Sequence, residues 1–157
     1  MIKIVKGDLL QATENFICHQ VNCAGAMNSG VARQIRQAYP LVFEKYKELV
    51  EETVTSGAPK SSLLGEVQGV RVEEDKYVVN LFGQANYGYD GFIYTNTDKL
   101  YECFKTVRIV AERQGLSVAM PYQIGCYRGG ADWKIVEDHL LTAFDGYEVT
   151  LYKYHEG

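Results

Sequence analysis

The stretch HQVNCAGAMNSGVARQI (residues 19–35) decides the fold. It continues an apolar run, FICHQV (16–21), that reads as a buried strand. It ends with helical spacing, which puts Val31, Ile35 and Ala38 on one face. Between strand and helix lie Asn22, Cys23, Ala24, Gly25, Ala26, Asn28, Ser29 and Gly30, nearly all small or polar. An ordinary strand-to-helix connection needs only a few residues and one or two turn formers. A longer tract of small residues leaves backbone N–H groups open at a helix start, where they lack intrahelical partners. Such a place suits an anion.

Outward from this stretch the chain alternates strand and helix. IKIV (2–5) is a first strand, and GDLLQAT (7–13) is a turn or short helix with Asp8 near its start. The helix over 30–39 is stopped or bent by Pro40. A second helix follows over 41–52, with Leu41, Tyr46 and Leu49 on one side. SGAPKSSLLG (56–65) is a loop, and residues 66–84 give two strands around the turn EEDK. ANYGYDGFIYTNTD (85–98) is a long loop rich in Tyr and Gly. The helix over 97–115 has Thr97 as its cap and Gly115 as its stop. LSVAMP (116–121) is a buried strand of the parallel kind. YQIGCYRGGADW (122–133) is a second glycine-rich loop, followed by a helix with Trp133, Val136, Leu140 and Leu141 inward and a last strand over 147–154. This alternation predicts an α/β domain with a mixed sheet and helices on both faces.

Composition narrows the function. The chain has 157 residues, 46% hydrophobic and 23% charged, as a globular domain has. Its net charge of −4 gives no basic surplus for bulk nucleic-acid binding through phosphate neutralisation. No run of 18 apolar residues suggests a membrane span. Cys18, Cys23, Cys103 and Cys126 contain no C-x-x-C pair, so neither a zinc ribbon nor a redox motif is expected, and no metal or cofactor is implied. Reduced thiols and the lack of a signal-peptide pattern point to a cytoplasmic protein. Cys18 and Cys103 read as core fillers.

Two small-residue loops, 24–30 and 125–130, each follow a buried strand and precede a helix. Ligands of open α/β sheets bind at such carboxyl ends of strands. Glycine lets backbone approach a phosphate without a Cβ clash. Together the loops could hold a diphosphate, although either could also be an ordinary connection. No G-x-x-x-x-G-K-[ST] and no G-x-G-x-x-G after the first strand is present.

The segments GDLL (7–10), VNCAGAMNSGVA (21–32), NLFGQ (80–84) and MPYQIGCYRGGADW (120–133) together resemble the macro domain family, over essentially the whole chain. The resemblance implies a single domain over 1–157, a three-layer α/β/α sandwich with a central mixed, mostly parallel sheet. It implies binding of ADP-ribose or an ADP-ribosylated molecule. The branch resembled includes hydrolases that remove terminal, glutamate-linked ADP-ribose, together with relatives that only bind. Hydrolysis of ADP-ribosyl-protein or O-acetyl-ADP-ribose, a binding-only reader, and a phosphatase acting on ADP-ribose 1″-phosphate all remain open. So does a domain for another nucleotide or a protein, with the glycine loops purely structural.

Carried over residue by residue, the resemblance puts Asp8 against the adenine amino group, with Leu9 beside it. Asp8 could instead cap a turn. Asn22 falls at the distal ribose, although a turn-forming role suits it equally. Ser29, Gly30, Val31 and Ala32 match the first phosphate loop. Ile124, Gly125, Cys126, Tyr127, Arg128 and Gly129 match the second, with Cys126 a packing residue and Arg128 either reaching a phosphate or solvated. Tyr152 falls where the family tends to place an aromatic against adenine, or it is a surface strand tyrosine. Tyr87 and Tyr89 could line the distal end. The hydrolases' lysine position corresponds to Gln84, and glutamine cannot act as a lysine nucleophile. The catalytic candidates left are Asn22 and Asp132, the latter better read as a helix cap. His19 is a weaker candidate, read as hydrogen-bonded in place.

Overall fold

The computed structural model describes residues 1–88 and 90–154. Tyr89 therefore lies outside the described residues. Six strands form one sheet, β1 (Ile2–Lys6), β2 (Phe16–Asn22), β3 (Val67–Glu73), β4 (Lys76–Gln84), β5 (Val118–Pro121) and β6 (Val149–Lys153), in the order β1-β6-β5-β2-β4-β3. Only β3 runs antiparallel to its neighbour; every other pairing is parallel. The sheet is mixed and mostly parallel, as the sequence suggests.

Four helices cover it: α1 (Gly30–Ala38), α2 (Pro40–Thr55), α3 (Thr97–Gln114) and α4 (Trp133–Ala143). Alternate residues of β2 supply two separate cores. Phe16 and Cys18 pack with Leu100, Phe104 and Val107 of α3 and Val136 and Leu140 of α4. Ile17 and Val21 pack on the opposite face with Ile35 of α1 and Val42, Tyr46 and Val50 of α2. The period of two along a strand makes this division, and three α/β/α layers result.

Several sequence expectations shift by a residue or a face. Asn96, not Thr97, caps α3, its side chain accepting from the Lys99 N–H at 3.0 Å. An Asn one residue upstream of a Thr offers the stronger capping group. Gly115 ends α3 at φ +68°, as predicted. Pro40 occupies the first position of α2, where a missing N–H costs nothing. On this helix Val42, Tyr46 and Val50 face inward and Leu41 is exposed. On α1, Ile35 is buried, Val31 half-buried and Ala38 exposed. On α4, Leu141 is 48% exposed while Val136 and Leu140 are buried and Trp133 packs half-buried. A 3₁₀ turn, Leu9–Gln11, occupies the predicted short helix, and another, Lys60–Leu63, lies inside the loop at 56–65. All four cysteines are free thiols, Cys18 and Cys103 fully buried in one core.

One feature of the sheet positions the site. β2 pairs with β5 only at Phe16–Val118 and Ile17–Ala119. Beyond these, β2 continues along β4 to Asn22, and β5 continues along β6 to Pro121. The two central strands part at their carboxyl ends, and both glycine-rich loops leave from that opening. Here successive chain segments turn to opposite sides of the sheet, and a crevice forms.

Candidate functional site

A cavity of about 300 Å³ occupies the opening. Its floor is β2, from His19 to Asn22, and its far side is Pro121 and Tyr122. The first loop contributes Asn28, Ser29, Gly30, Val31 and Ala32; the second contributes Ile124, Gly125, Tyr127, Arg128 and Gly129. Gln84, Tyr87 and Gly88 close a third side. The structure thus brings both predicted loops to one space. None of the residues lining it is Asp, Glu or Lys, in a chain with 20 acidic residues. No carboxylate among the described lining residues faces an entering anion.

Asn22 shapes the first loop. Its Oδ1 accepts from the Ala24 N–H at 3.0 Å and from the Tyr46 hydroxyl at 2.8 Å, and its Nδ2 donates to the Ala26 carbonyl at 2.9 Å. The single Tyr46 hydroxyl hydrogen is shared between Asn22 Oδ1 and the Asn22 carbonyl at 2.6 Å, and its oxygen receives the Gly25 N–H at 3.1 Å. A buried tyrosine of α2 therefore anchors the loop from below, a role sequence reasoning missed. The loop ends at Gly30, the first residue of α1, in a left-handed conformation at φ +59°. Ser29 precedes it as the cap residue but makes no side-chain capping bond, so the helix start keeps unpartnered N–H groups.

The second loop folds onto residues 94–95. Tyr94 and Thr95 N–H groups donate to the Gly129 carbonyl at 2.8 and 3.0 Å, and the Thr95 hydroxyl donates to the Gly125 carbonyl at 2.8 Å. Gly125 and Gly130 both hold positive φ, +80° and +71°. Below the loop, Gln20 Nε2 donates to Thr95 Oγ1 at 2.8 Å and to Gln84 Oε1 at 2.6 Å. Gln84 Nε2 donates to the Asn86 carbonyl at 2.7 Å. Gln84 is therefore a fixed amide strut as well as a lining residue. Neither Gln20 nor Thr95 stood out in the sequence, although a glutamine inside an apolar strand was the available signal.

The remaining candidates divide. Asp8 is half-buried and its Oδ1 accepts from the Leu10 N–H at 3.0 Å, which caps the 3₁₀ turn; it does not line the cavity. Leu9 is a core residue on the α1/α2 side of the sheet. Tyr152 is half-buried and donates to Glu14 Oε1 at 2.7 Å; burial, then Glu14, pushes its hydroxyl up to about 12. Asp132 is exposed and caps α4 through the Lys134 N–H at 2.9 Å, away from the cavity, as the capping expectation has it. Burial, then Asp132, raises the Cys126 thiol to about 11, so it stays protonated and packs.

His19 is buried, and its Nε2 lies 2.6 Å from Asn80 Oδ1. Asn80 Nδ2 donates to Gln68 Oε1 at 3.0 Å, so Oδ1 is the acceptor and His19 Nε2 must carry the proton. Burial holds the imidazole down to about 4, partly opposed by the Asn80 bond. His19 is a neutral structural histidine at ordinary pH.

Exposed apolar side chains stand near the second loop: Phe92 and Ile93 are 69% and 72% exposed, and Tyr127 is 72% exposed. A Cβ on Gly130 would sit 3.1 Å from the Phe92 carbonyl oxygen and 3.4 Å from Ile93 Cα, so the backbone of these residues adjoins the second loop.

Known proteins share this arrangement. A DNA ADP-ribosyl glycohydrolase of Mycobacterium tuberculosis is 30% identical over 145 residues, 92% of this chain and 39% of that protein. The chain spans well under half the length of that relative. A solved Bacteroides thetaiotaomicron protein of unknown function is 27% identical with a TM-score of 0.82, covering 98% of both chains. The macrodomain of Mycobacterium tuberculosis DarG is 26% identical with a TM-score of 0.78, covering 97% of both. The profile of the family described as Macro domain matches residues 18–140, which contain both loops and the strands that part beneath them. The chain belongs to the macro domain family.

Proposed function

We propose that this protein binds ADP-ribose, free or attached to a larger molecule, and that its diphosphate lies between the two glycine-rich loops. The observation that carries the reading is the cavity itself: two loops rich in backbone N–H groups, at the parting of central parallel strands, with no acidic side chain among the described lining residues. Ser29, Gly30, Val31 and Ala32 offer the start of α1 to one phosphate; Gly125, Cys126, Tyr127, Arg128 and Gly129 offer the other loop. Asp8, beside Leu9, keeps one carboxylate oxygen outside its capping bond for the adenine amino group, and Tyr152 supplies the nearby ring. The exposed apolar side chains near the second loop suit a ligand that continues into a macromolecule rather than a closed metabolite site.

The mycobacterial relative is a DNA ADP-ribosyl glycohydrolase. By analogy, this protein releases ADP-ribose from a carrier. In that step a water oxygen bonds to the distal C1″ carbon, the bond to the carrier breaks, and the leaving atom gains a proton. Gln84 supplies no nucleophile, and His19 is held neutral in a hydrogen bond. Burial leaves His19 too weak a base to favour, so a substrate phosphate takes the water's proton and returns one to the leaving atom. A binding-only reader is the second reading, favoured by the same hydrogen-bonded Gln84 at the position where related hydrolases place lysine.

Calorimetry with ADP-ribose, ADP and AMP tests binding: ADP-ribose should bind most tightly, and no heat at millimolar ligand would refute the reading. Incubation with ADP-ribosylated DNA, ADP-ribosylated protein and ADP-ribose 1″-phosphate separates the activities. Binding with no release above a protein-free blank would leave the reader.

A further inference from the structure

Thr95 is buried and does not line the cavity. Even so, it is joined to every part of the cavity's second side. Its hydroxyl hydrogen is committed to the Gly125 carbonyl, and its Oγ1 accepts from Gln20 of β2. Its backbone N–H donates to Gly129, and its backbone bridges to Gln84 of β4. Gln20 in turn uses both amide hydrogens, one on Thr95 and one on Gln84. One residue thus ties both ends of the segment 125–129 to the strands beneath it, Gly125 through its hydroxyl and Gly129 through its backbone N–H. The packing is equally close: a Cβ on Gly129 would overlap Thr95 Oγ1 and sit 2.6 Å from the Gly125 carbonyl oxygen.

Glycine has the most conformational freedom to lose, so a segment with glycine at 125, 129 and 130 is loose unless something outside it fixes it. A loose loop must be ordered when a ligand arrives, and that cost is subtracted from affinity. We propose that Thr95, braced by Gln20, is a positioning residue that holds the second glycine loop preorganised for the diphosphate without touching it. The proposal rests on the ADP-ribose reading for its ligand but on the hydrogen-bond pattern for its mechanism. Thr95→Val keeps the shape and removes the hydroxyl, which leaves a Gln20 N–H without its partner and the Gly125 carbonyl with the Ala131 N–H alone. Thr95→Ala removes the hydroxyl without a branched methyl and serves if the valine variant melts early. Thr95→Ser restores the hydroxyl.

The test titrates wild type and the three variants with ADP-ribose and with AMP, and measures amide exchange across residues 125–130. The valine and alanine variants should bind ADP-ribose roughly tenfold more weakly, about the effect of one lost hydrogen bond, and AMP within about twofold of wild type. Their Gly129 and Gly130 amides should exchange faster, and the serine variant should return both readouts to wild type. Unchanged ADP-ribose affinity in both variants lacking the hydroxyl would overturn the proposal. So would equal weakening toward AMP, or failure of serine to rescue. If wild type ignores ADP-ribose, the functional reading falls, and the amide exchange alone decides: faster exchange in the valine variant supports the positioning role, and unchanged exchange refutes it.

Discussion

Gly129→Ala is the sharpest perturbation of the second loop. Gly129 does not hold a positive φ, so alanine meets no backbone strain there, and the whole effect is steric. The new Cβ would overlap Thr95 Oγ1, lie 2.6 Å from the Gly125 carbonyl oxygen and 3.0 Å from Gln20 Nε2. Thr95 cannot swing clear without giving up its bonds to Gly125 and Gln20. The Gly125 carbonyl is backbone and already receives the Ala131 N–H at 3.1 Å. The loop must therefore lift off residues 94–95. Overpacking of this kind costs about 1–3 kcal/mol, which in a domain of this size lowers Tm by about 2–12 °C. A displaced loop also loses its fit to a phosphate, so ADP-ribose affinity should fall by roughly tenfold or more. Scanning calorimetry and isothermal titration give the two numbers. Thr95→Ala on top of Gly129→Ala should recover little, because the contact with the Gly125 carbonyl remains. A Gly129→Ala protein that melts and binds like wild type would refute the view that this loop is clamped by contact with Thr95.

Other residues give independent checks. Asn22→Ala removes four bonds, to the Ala24 N–H, the Ala26 N–H and carbonyl, and the Tyr46 hydroxyl, so stability should fall by about 2–4 kcal/mol in urea titration and the Ala24 and Ala26 amides should exchange faster. His19 has a folded pKa of about 4 against an ordinary 6.5, so the unfolded chain binds the extra proton between those values. Stability should be full above pH ~6.5 and fall by roughly 3 kcal/mol as pH drops to ~4, and His19→Gln, followed by urea denaturation across that range, should lack this drop. Asp8→Ala removes the cap of a single 3₁₀ turn, worth about 1 kcal/mol of stability. It should weaken ADP-ribose by more than fivefold if the carboxylate also meets adenine, and leave calorimetric affinity unchanged if capping is its whole role.

The fold was legible where period and composition agreed. The apolar run at β5 names a buried element, and it is buried. Boundaries slipped where two residues could play one part: Asn96 and Thr97 are adjacent caps, and on α2 Val42 rather than Leu41 takes the inner face. The two loops were legible because glycine and small residues are costly to keep without a reason. What the sequence concealed were the supports. Gln20 and Thr95 are 75 residues apart in the chain, and only the parting of β2 from β5 and the return of residues 94–95 onto Gly129 bring them together. No local pattern encodes such a meeting. The hydroxyl of Tyr46 is hidden in the same way, on a helix where a tyrosine reads as bulk apolar surface.

The same supports bear on the chemistry. A catalytic side chain needs freedom to take or give a proton, and the candidates named from the sequence are largely committed to hydrogen bonds, His19 Nδ1 excepted. Asn22 is bound on both its oxygen and its nitrogen, Gln84 likewise, Asp132 caps a helix outside the cavity, and His19 is fixed as a donor to Asn80. These groups hold backbone in place, and the backbone is what faces the ligand. In the proposed ADP-ribose reading, a site built in this way contributes binding energy and orientation, and proton transfer falls to water and to the ligand's phosphates. Any bond cleaved here must already carry a leaving group able to depart with that modest assistance, such as an activated acyl or base linkage at C1″. Under the proposed release of ADP-ribose, the leaving group rather than a protein acid or base would set which carriers are processed.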